Sequence, residues 1–360
     1  MRAMHEIGAS PARGSYGRSL EASRMLFRTR EVISDLFSIP DSSRIIFTHS
    51  ATEALNLALR GTLLPGDHVI TTVMEHNSLL RPLHALQKAG VELTVAPACG
   101  SGIVEPDDIR AALRPNTRMV AVSHVSNVCG AIQPIEQIAS VAREADALFL
   151  VDAAQSAGSI PINVVSIGID LLASPGHKGL LGPQGTGFLY VAEGKTLRPM
   201  LAGGTGSNAS ALEQPDSFPE GFEAGTHNLP GIAGLCSGVE FVLGQGVECI
   251  GRKEQNCTEI IANTLRNMPE VTLYGPSRMD ERSGPLSFTI AGIDSSDLAF
   301  VLDRDFDISA RAGLHCAPQA HRALKTYPAG TLRVSLGWFT THDEIAIFCD
   351  AIIKLVRGGA

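Results

Sequence analysis

The chain lacks paired cysteines. Its seven cysteines stand singly, at 99, 129, 236, 249, 257, 316 and 349, with no C-x-x-C. Neither a disulfide framework nor a zinc knuckle is signalled, and each cysteine reads first as a buried thiol. No apolar run approaches the roughly 20 residues that span a bilayer. The start, M-R-A-M-H-E-I-G-A-S-P, has no apolar signal core, so a cytoplasmic chain is expected. Lys and Arg are scattered and the net charge is -8, which gives no reason to expect nucleic acid or an anionic membrane as partner. There is no internal repeat and no P-loop or G-x-G-x-x-G. G-G-T-G-S (203–207) lacks the strand–turn–helix setting of a nucleotide-phosphate loop.

What is present is ample for two cores: 360 residues, 44% hydrophobic and 18% charged. Short apolar runs at 45–49, 68–72, 91–96, 118–123, 147–152, 170–174 and 187–191 read as strands. Helical patterns at 51–60, 77–90 and 135–144 alternate with them. Apolar strands alternating with helices predict an α/β fold with a large, mainly parallel sheet. Ligands on such sheets bind beyond the carboxyl ends of the strands. From 200 to about 225 the chain is rich in Gly, Ser and Pro, an irregular length that suits a functional or interface segment. Helices at 229–245 and 248–268 lead to a smaller α+β part. Its strands are expected at 271–274, 286–290, 307–311 and 331–336, with a closing helix at 342–356. The expected division is a large domain, 14–245, and a small one, 246–360, with residues 1–13 packing on the small one.

The polar residues at strand ends carry the chemistry. In L-V-D-A-A-Q (150–155), Asp152 ends an apolar strand, and in S-P-G-H-K-G (174–179), Lys178 follows the next strand. Alone they read as a helix cap and a surface charge. Together they match pyridoxal phosphate, which needs a Lys for its Schiff base and a carboxylate against its ring nitrogen. S-A-T-E-A-L-N-L (50–57) opens a helix whose free N–H groups favour an anion, although a plain cap by Ser50 reads the same way. His76 in V-M-E-H-N-S could stack on a flat ring or cap a helix, and Asn127 in H-V-S-N-V-C-G stands at another strand end.

In this order the motifs A-T-E-A-L-N-L, M-E-H-N, H-V-S-N-V-x-G, V-D-A-A-Q, G-H-K-G-x-x-G-P-Q-G, F-E-A-G-T-x-N and R-A-G-L-H-C-A-P span nearly the whole chain from about residue 14. The set resembles a class V aminotransferase-fold enzyme of pyridoxal phosphate fold type I, in particular the cysteine desulfurases and selenocysteine lyases. The resemblance implies pyridoxal 5'-phosphate in a Schiff base with Lys178, which also moves the substrate Cα proton. It places Asp152 at the ring nitrogen, Gln155 at the ring oxygen and His76 on the ring. Ala51, Thr52, His177 and Ser174 would hold the phosphate with Thr226 of the neighbouring subunit of a homodimer. Asn127 and Arg333 would hold the substrate carboxylate, with Arg311 near the substrate. Cys316 would take the sulfur as a persulfide, leaving alanine, and its short R-x-G-x-H-C spacing resembles the group II branch, which uses a separate sulfur-acceptor protein.

Two departures accompany the resemblance. Pro175 stands where the family carries a phosphate-binding Ser or Thr, with Ser174 one residue away. The family's opening strand with an Asn-Ala-Ala-Thr-Thr-like stretch has no counterpart before A-R-G-S, which predicts weaker substrate binding. Three functions therefore stand at this point: a cysteine desulfurase, a selenocysteine lyase or other class V reaction such as transamination or epimerisation, and an inactive cofactor-binding homologue.

Overall fold

The computed structural model describes residues 3–11, 14, 16–206, 210 and 212–358. Parts of the stretches discussed above (1–2, 12–13, 15, 207–209, 211 and 359–360) lie outside the described residues.

Helix α1 (Gly17–Phe37) precedes strand β1 (Ile45–Thr48) and helix α2 (Ala51–Thr62). Strand β2 (His68–Thr72), helix α3 (Asn77–Lys88), β3 (Glu92–Ala96), α4 (Pro106–Ala111), β4 (Thr117–Ser123) and α5 (Ile135–Glu144) follow. Then come β5 (Leu148–Asp152), α6 (Val164–Ile167), β6 (Leu171–Pro175) and β7 (Gly187–Val191). The seven strands form one sheet in the order β1-β7-β6-β5-β4-β2-β3. Only β7 runs against the others, pairing antiparallel with both β1 and β6. The other strands therefore end along one edge.

Strand residues alternate between two cores. Val120, Val122, Phe149, Val151 and Leu172 pack into one. Met119, Ala121, Leu148, Leu150 and Leu171 pack into the other. Both faces are covered, which is why these strands read as unbroken apolar runs.

Helix α7 (Leu229–Gln245) is capped by Asn228, whose Oδ1 accepts the Gly231 N–H at 3.2 Å. Gly246, at φ 84°, separates it from α8 (Val247–Arg266). Strands β8 (Val271–Tyr274) and β9 (Leu286–Ile290), helix α9 (Ser295–Phe306), β10 (Arg311–Gly313), α10 (Pro318–Ala323), β11 (Thr331–Val334) and α11 (His342–Gly358) complete the chain. The four strands form an antiparallel sheet, β10-β11-β9-β8, over a third core of residues 257–352.

Two expectations need correction. The third small-sheet strand is Arg311–Gly313, not 307–311, because Asp307 closes α9 in the left-handed conformation and ladder pairing starts only at Arg311 opposite Arg333. The described start of the chain does not pack on the small sheet. Its turn Ala3–Ile7 buries Ala3 and Ile7 in the large core, against α1 and α7, because these two apolar side chains meet apolar partners there, while Met4 stays exposed.

Candidate active site

A cavity of about 250 Å³ opens at the carboxyl edge of the large sheet. Its wall includes Ala51, Thr52, His76, Asn127, Asp152, Gln155, His177, Lys178 and Arg311. Residues from separate stretches of the chain thus meet where strands of one direction end.

Asp152 is the last residue of β5, 3% exposed, and its Oδ1 accepts the Ala154 N–H at 2.9 Å. Burial raises its pKa, opposed by that N–H and by Lys178. Lys178 sits in the turn after β6. The turn is fixed by Gly176 N–H to Thr186 O and Gly182 N–H to Gly176 O, both 2.8 Å, and Leu181 N–H to Lys178 O, 2.9 Å. A Cβ on Gly179 would strike the Ala157 carbonyl oxygen, so glycine is required beside the lysine. Burial lowers the Lys178 pKa, and Arg333 and Arg311 add to the effect while Asp152 opposes it. A buried carboxyl group beside a buried amine, each shifted by burial, is an acid–base pair of the kind catalytic sites use.

His76 caps α3: its Nδ1 accepts the Ser78 N–H at 3.0 Å. In the neutral ring the proton therefore sits on Nε2. Burial, then the charges of Lys178, Arg311 and Arg333, push the ring's pKa down to about 4, so it is uncharged at neutral pH. At α2, the Ser50 hydroxyl accepts the Glu53 N–H at 3.2 Å. The N–H groups of Ala51 and Thr52 have no intrahelical partner and border the cavity, with His177 beside them. This is an anion cradle next to an amine and a buried carboxylate. The donor set fits a flat, anionic, aldehyde-bearing cofactor, with Lys178 as its covalent holder, Asp152 for its ring nitrogen and the α2 terminus for its phosphate.

Three candidates lie just outside. Arg333 lines an adjoining cavity of about 290 Å³ that shares Ala154, Gln155 and Lys178 with the first. Its Nη1 donates to Asn127 O at 2.8 Å, and its Nε is buried without a partner. Cys316 is exposed and lines an open groove of about 350 Å³ that shares Thr52, His76 and Ser78 with the cavity. Thr226 lies in a separate cleft with Thr48, His49 and Glu53.

Ser174 is a correction. It is fully buried, its Oγ donates to Pro175 O at 3.2 Å, and it does not line the cavity. Neighbours on a strand point to opposite faces, and here Pro175 takes the cavity side.

Two features carry little sequence signal. Glu75 is wholly buried and accepts from Ser123 N–H (2.8 Å), Ser123 Oγ (2.6 Å) and Thr72 Oγ1 (2.6 Å). Burial lifts its pKa to about 7. The only sign of it is an acidic residue directly before His76, just past an apolar strand. The second is the grip on the cysteine turn. Asn127 Nδ2 donates to His315 O at 2.7 Å, Asn77 N–H donates to Cys316 O at 2.8 Å, and His315 Nε2 meets Thr331 Oγ1 at 3.1 Å. His315 and Cys316 are both left-handed, with φ 49° and 58°.

The model of the class V aminotransferase family matches residues 2–348. A probable cysteine desulfurase of Methanothermobacter thermautotrophicus is 36% identical over 363 residues, covering 98% of this chain and 89% of that protein. The cysteine desulfurase IscS of Dictyoglomus turgidum is 30% identical and covers 88% of this chain and 80% of its own. The solved apo structure of a cysteine desulfurase from Thermococcus onnurineus superposes with a TM-score of 0.93 at 32% identity, over 99% of this chain and 90% of its own.

Proposed function

Since this chain belongs to the class V aminotransferase family, we propose that it is a pyridoxal-phosphate-dependent cysteine desulfurase, with Cys316 as the residue that takes the sulfur. The observation that carries the reading is one wall shared between two spaces. Thr52, His76 and Ser78 border both the Lys178 cavity and the Cys316 groove, so an amino acid held at Lys178 would lie one wall away from the space that the sulfur lines.

Pyridoxal phosphate would be held by Lys178 covalently, by Asp152 at the ring nitrogen and by Gln155 at the ring oxygen. His76 would lie against the ring, and Ala51, Thr52 and His177 would hold the phosphate. Bound there, the cofactor supplies an electron sink for the bond broken at the substrate Cα. Asp152 keeps the ring nitrogen protonated. Lys178, whose pKa burial has lowered, accepts and returns the Cα proton. Arg333, with Arg311 beside it, holds the substrate carboxylate, and Asn127 is fixed against Arg333 so that both keep their place. The Cys316 thiolate attacks the substrate Sγ. An S–S bond forms, the Cβ–S bond breaks with its electron pair left on the carbon side, and Cβ takes up a proton to become the methyl of alanine, leaving a Cys316 persulfide.

In this reading the enzyme is a cytoplasmic homodimer, Thr226 serves the partner's phosphate site, and a separate acceptor protein takes the sulfur. The division into 14–245 and 246–360 puts Lys178 on the large part and Cys316 on the small one. Release of alanine and sulfide from cysteine by the purified protein, abolished in Cys316→Ala while a Lys178-dependent absorbance band persists, tests the assignment. Unchanged sulfide release in Cys316→Ala overturns it.

A further inference from the structure

The groove at Cys316 has a shape and a charge that the reaction itself does not use. Thr52, Asn56 and Arg60 lie four residues apart along α2 and form one stripe. Eight residues of helix make that stripe about 12 Å long. The first turns of α3 supply the facing wall with Asn77, Ser78 and Arg81. Cys316 lies at the inner end, where Thr52, His76 and Ser78 are shared with the cavity. No carboxylate lines this groove among the described residues. Arg60 donates only sideways, from Nε to Asn56 Oδ1 at 3.0 Å, and neither Arg60 nor Arg81 has a carboxylate partner among the described residues. Two exposed, unpaired guanidinium groups thus flank the approach to the sulfur in a chain whose net charge is -8.

Unpaired arginines beside a reactive group select the charge of what docks there and speed its arrival. A trough about 12 Å long also has a natural occupant, because extended chain rises about 3.3 Å per residue and about four residues fill it. We propose that this groove receives an extended, acidic segment of a sulfur-acceptor protein, whose cysteine reaches Cys316 while its carboxylates meet Arg60 and Arg81. This rests on Cys316 being the persulfide carrier. The acceptor thiolate attacks the outer sulfur of the Cys316 persulfide. A new S–S bond forms on the acceptor, the old one breaks, and its electron pair leaves on the Cys316 Sγ, with no net oxidation.

The test uses the full enzyme and needs no turnover of cysteine. Three capped hexapeptides carry one cysteine as its 2-thiopyridyl disulfide, with two glutamates, two glutamines or two lysines three and four positions away. Attack by the Cys316 thiolate releases pyridine-2-thione, and subtraction of the rate of Cys316→Ala removes the exposed Cys99 and Cys249. The expected result is a glutamate peptide about tenfold faster than the lysine peptide in low salt, with the rates converging at high salt. Arg60→Gln and Arg81→Gln should each shrink that ratio and leave the glutamine-peptide rate alone, which shows the variants are folded. Equal rates for the charged peptides overturn the proposal, as does a ratio untouched by both variants. A preference seen only with the small anion 5,5'-dithiobis(2-nitrobenzoate) also overturns it, in favour of a small-molecule acceptor. Failure to release alanine from cysteine would instead sink the desulfurase reading, and the exchange experiment does not depend on that outcome.

Discussion

Arg311 Nη2 donates to the Cys316 Sγ at 3.5 Å. The two residues are joined by a short turn, and Arg311 also lies on the wall of the Lys178 cavity. That contact fixes the sulfur in one position beside the cavity wall on which Arg311 lies, the orientation an attack needs. Arg311→Ala is expected to slow alkylation of Cys316 by iodoacetamide about tenfold and to lower turnover at least as much. The cofactor absorbance should not change. Alkylation at the wild-type rate would show that the contact does nothing for the sulfur.

Gly179→Ala should act on the lysine without touching it. The added methyl meets the Ala157 carbonyl, and the turn that holds Lys178 has to move. We expect cofactor affinity to fall by about tenfold or more, since a displacement of about 1 Å is costly in a site of this kind. Titration of the cofactor-free protein with pyridoxal phosphate, followed by absorbance, measures it.

Glu223 and Arg30 form a buried ion pair with Nη2–Oε distances of 2.6 and 2.7 Å. The same carboxylate accepts from Phe47 N–H at 2.6 Å and from the His227 ring at 2.7 Å. It therefore ties the segment around Thr226 to α1 and β1. Glu223→Gln leaves the guanidinium buried without its counter-charge and should cost about 3–5 kcal/mol. Urea unfolding reads this, and a loss below about 1 kcal/mol would contradict it.

Acid should destabilise the fold. His124, His315 and His321 are buried, and burial pushes their pKa values down to about 4, 3 and 4. Between about pH 6.5 and 4 the unfolded chain binds protons that these folded rings refuse, so stability falls as pH falls through that window. Across it, each ring costs about 1.4 kcal/mol for every step of one pH unit. Glu75 works in the opposite sense: raised from 4.5 to about 7, its folded carboxyl keeps a proton that the unfolded one loses, so its contribution declines as pH rises through that range. With His76, also pushed down to about 4, four rings outweigh two carboxyls, Glu75 and Glu254, the second also lifted by burial to about 7, and the urea midpoint should drop between about pH 6.5 and 4. Replacing Glu75 by Gln should make the drop steeper.

Much of the site was legible because parallel strands buried on both faces announce themselves. The apolar runs of β1, β2, β4, β5 and β6 end where the chain meets the cavity, and Asp152, Asn127 and Lys178 stand at or just past such ends. The mainly parallel large sheet follows from the same signal. Helix α1 carried no such signal, since its buried face mixes Ser19, Thr29, Arg30 and Ser34 with apolar residues. Ser174 was misplaced because one residue of register decides which face a side chain takes. The bonds that hold the cysteine turn were invisible for a different reason. Asn127 and His315 are 188 residues apart, and no local period encodes such a pairing.

The turn at His315–Cys316 gives the sulfur a divided allegiance. Its chain continues into the small sheet, yet its two carbonyls are held by Asn77 and Asn127 of the large part. Two successive L-residues in the left-handed region are uphill by roughly 1 kcal/mol or more each, and those outside bonds help to keep them there. The sulfur is thereby registered to the sheet that also carries Lys178, although its own chain runs on into the other one.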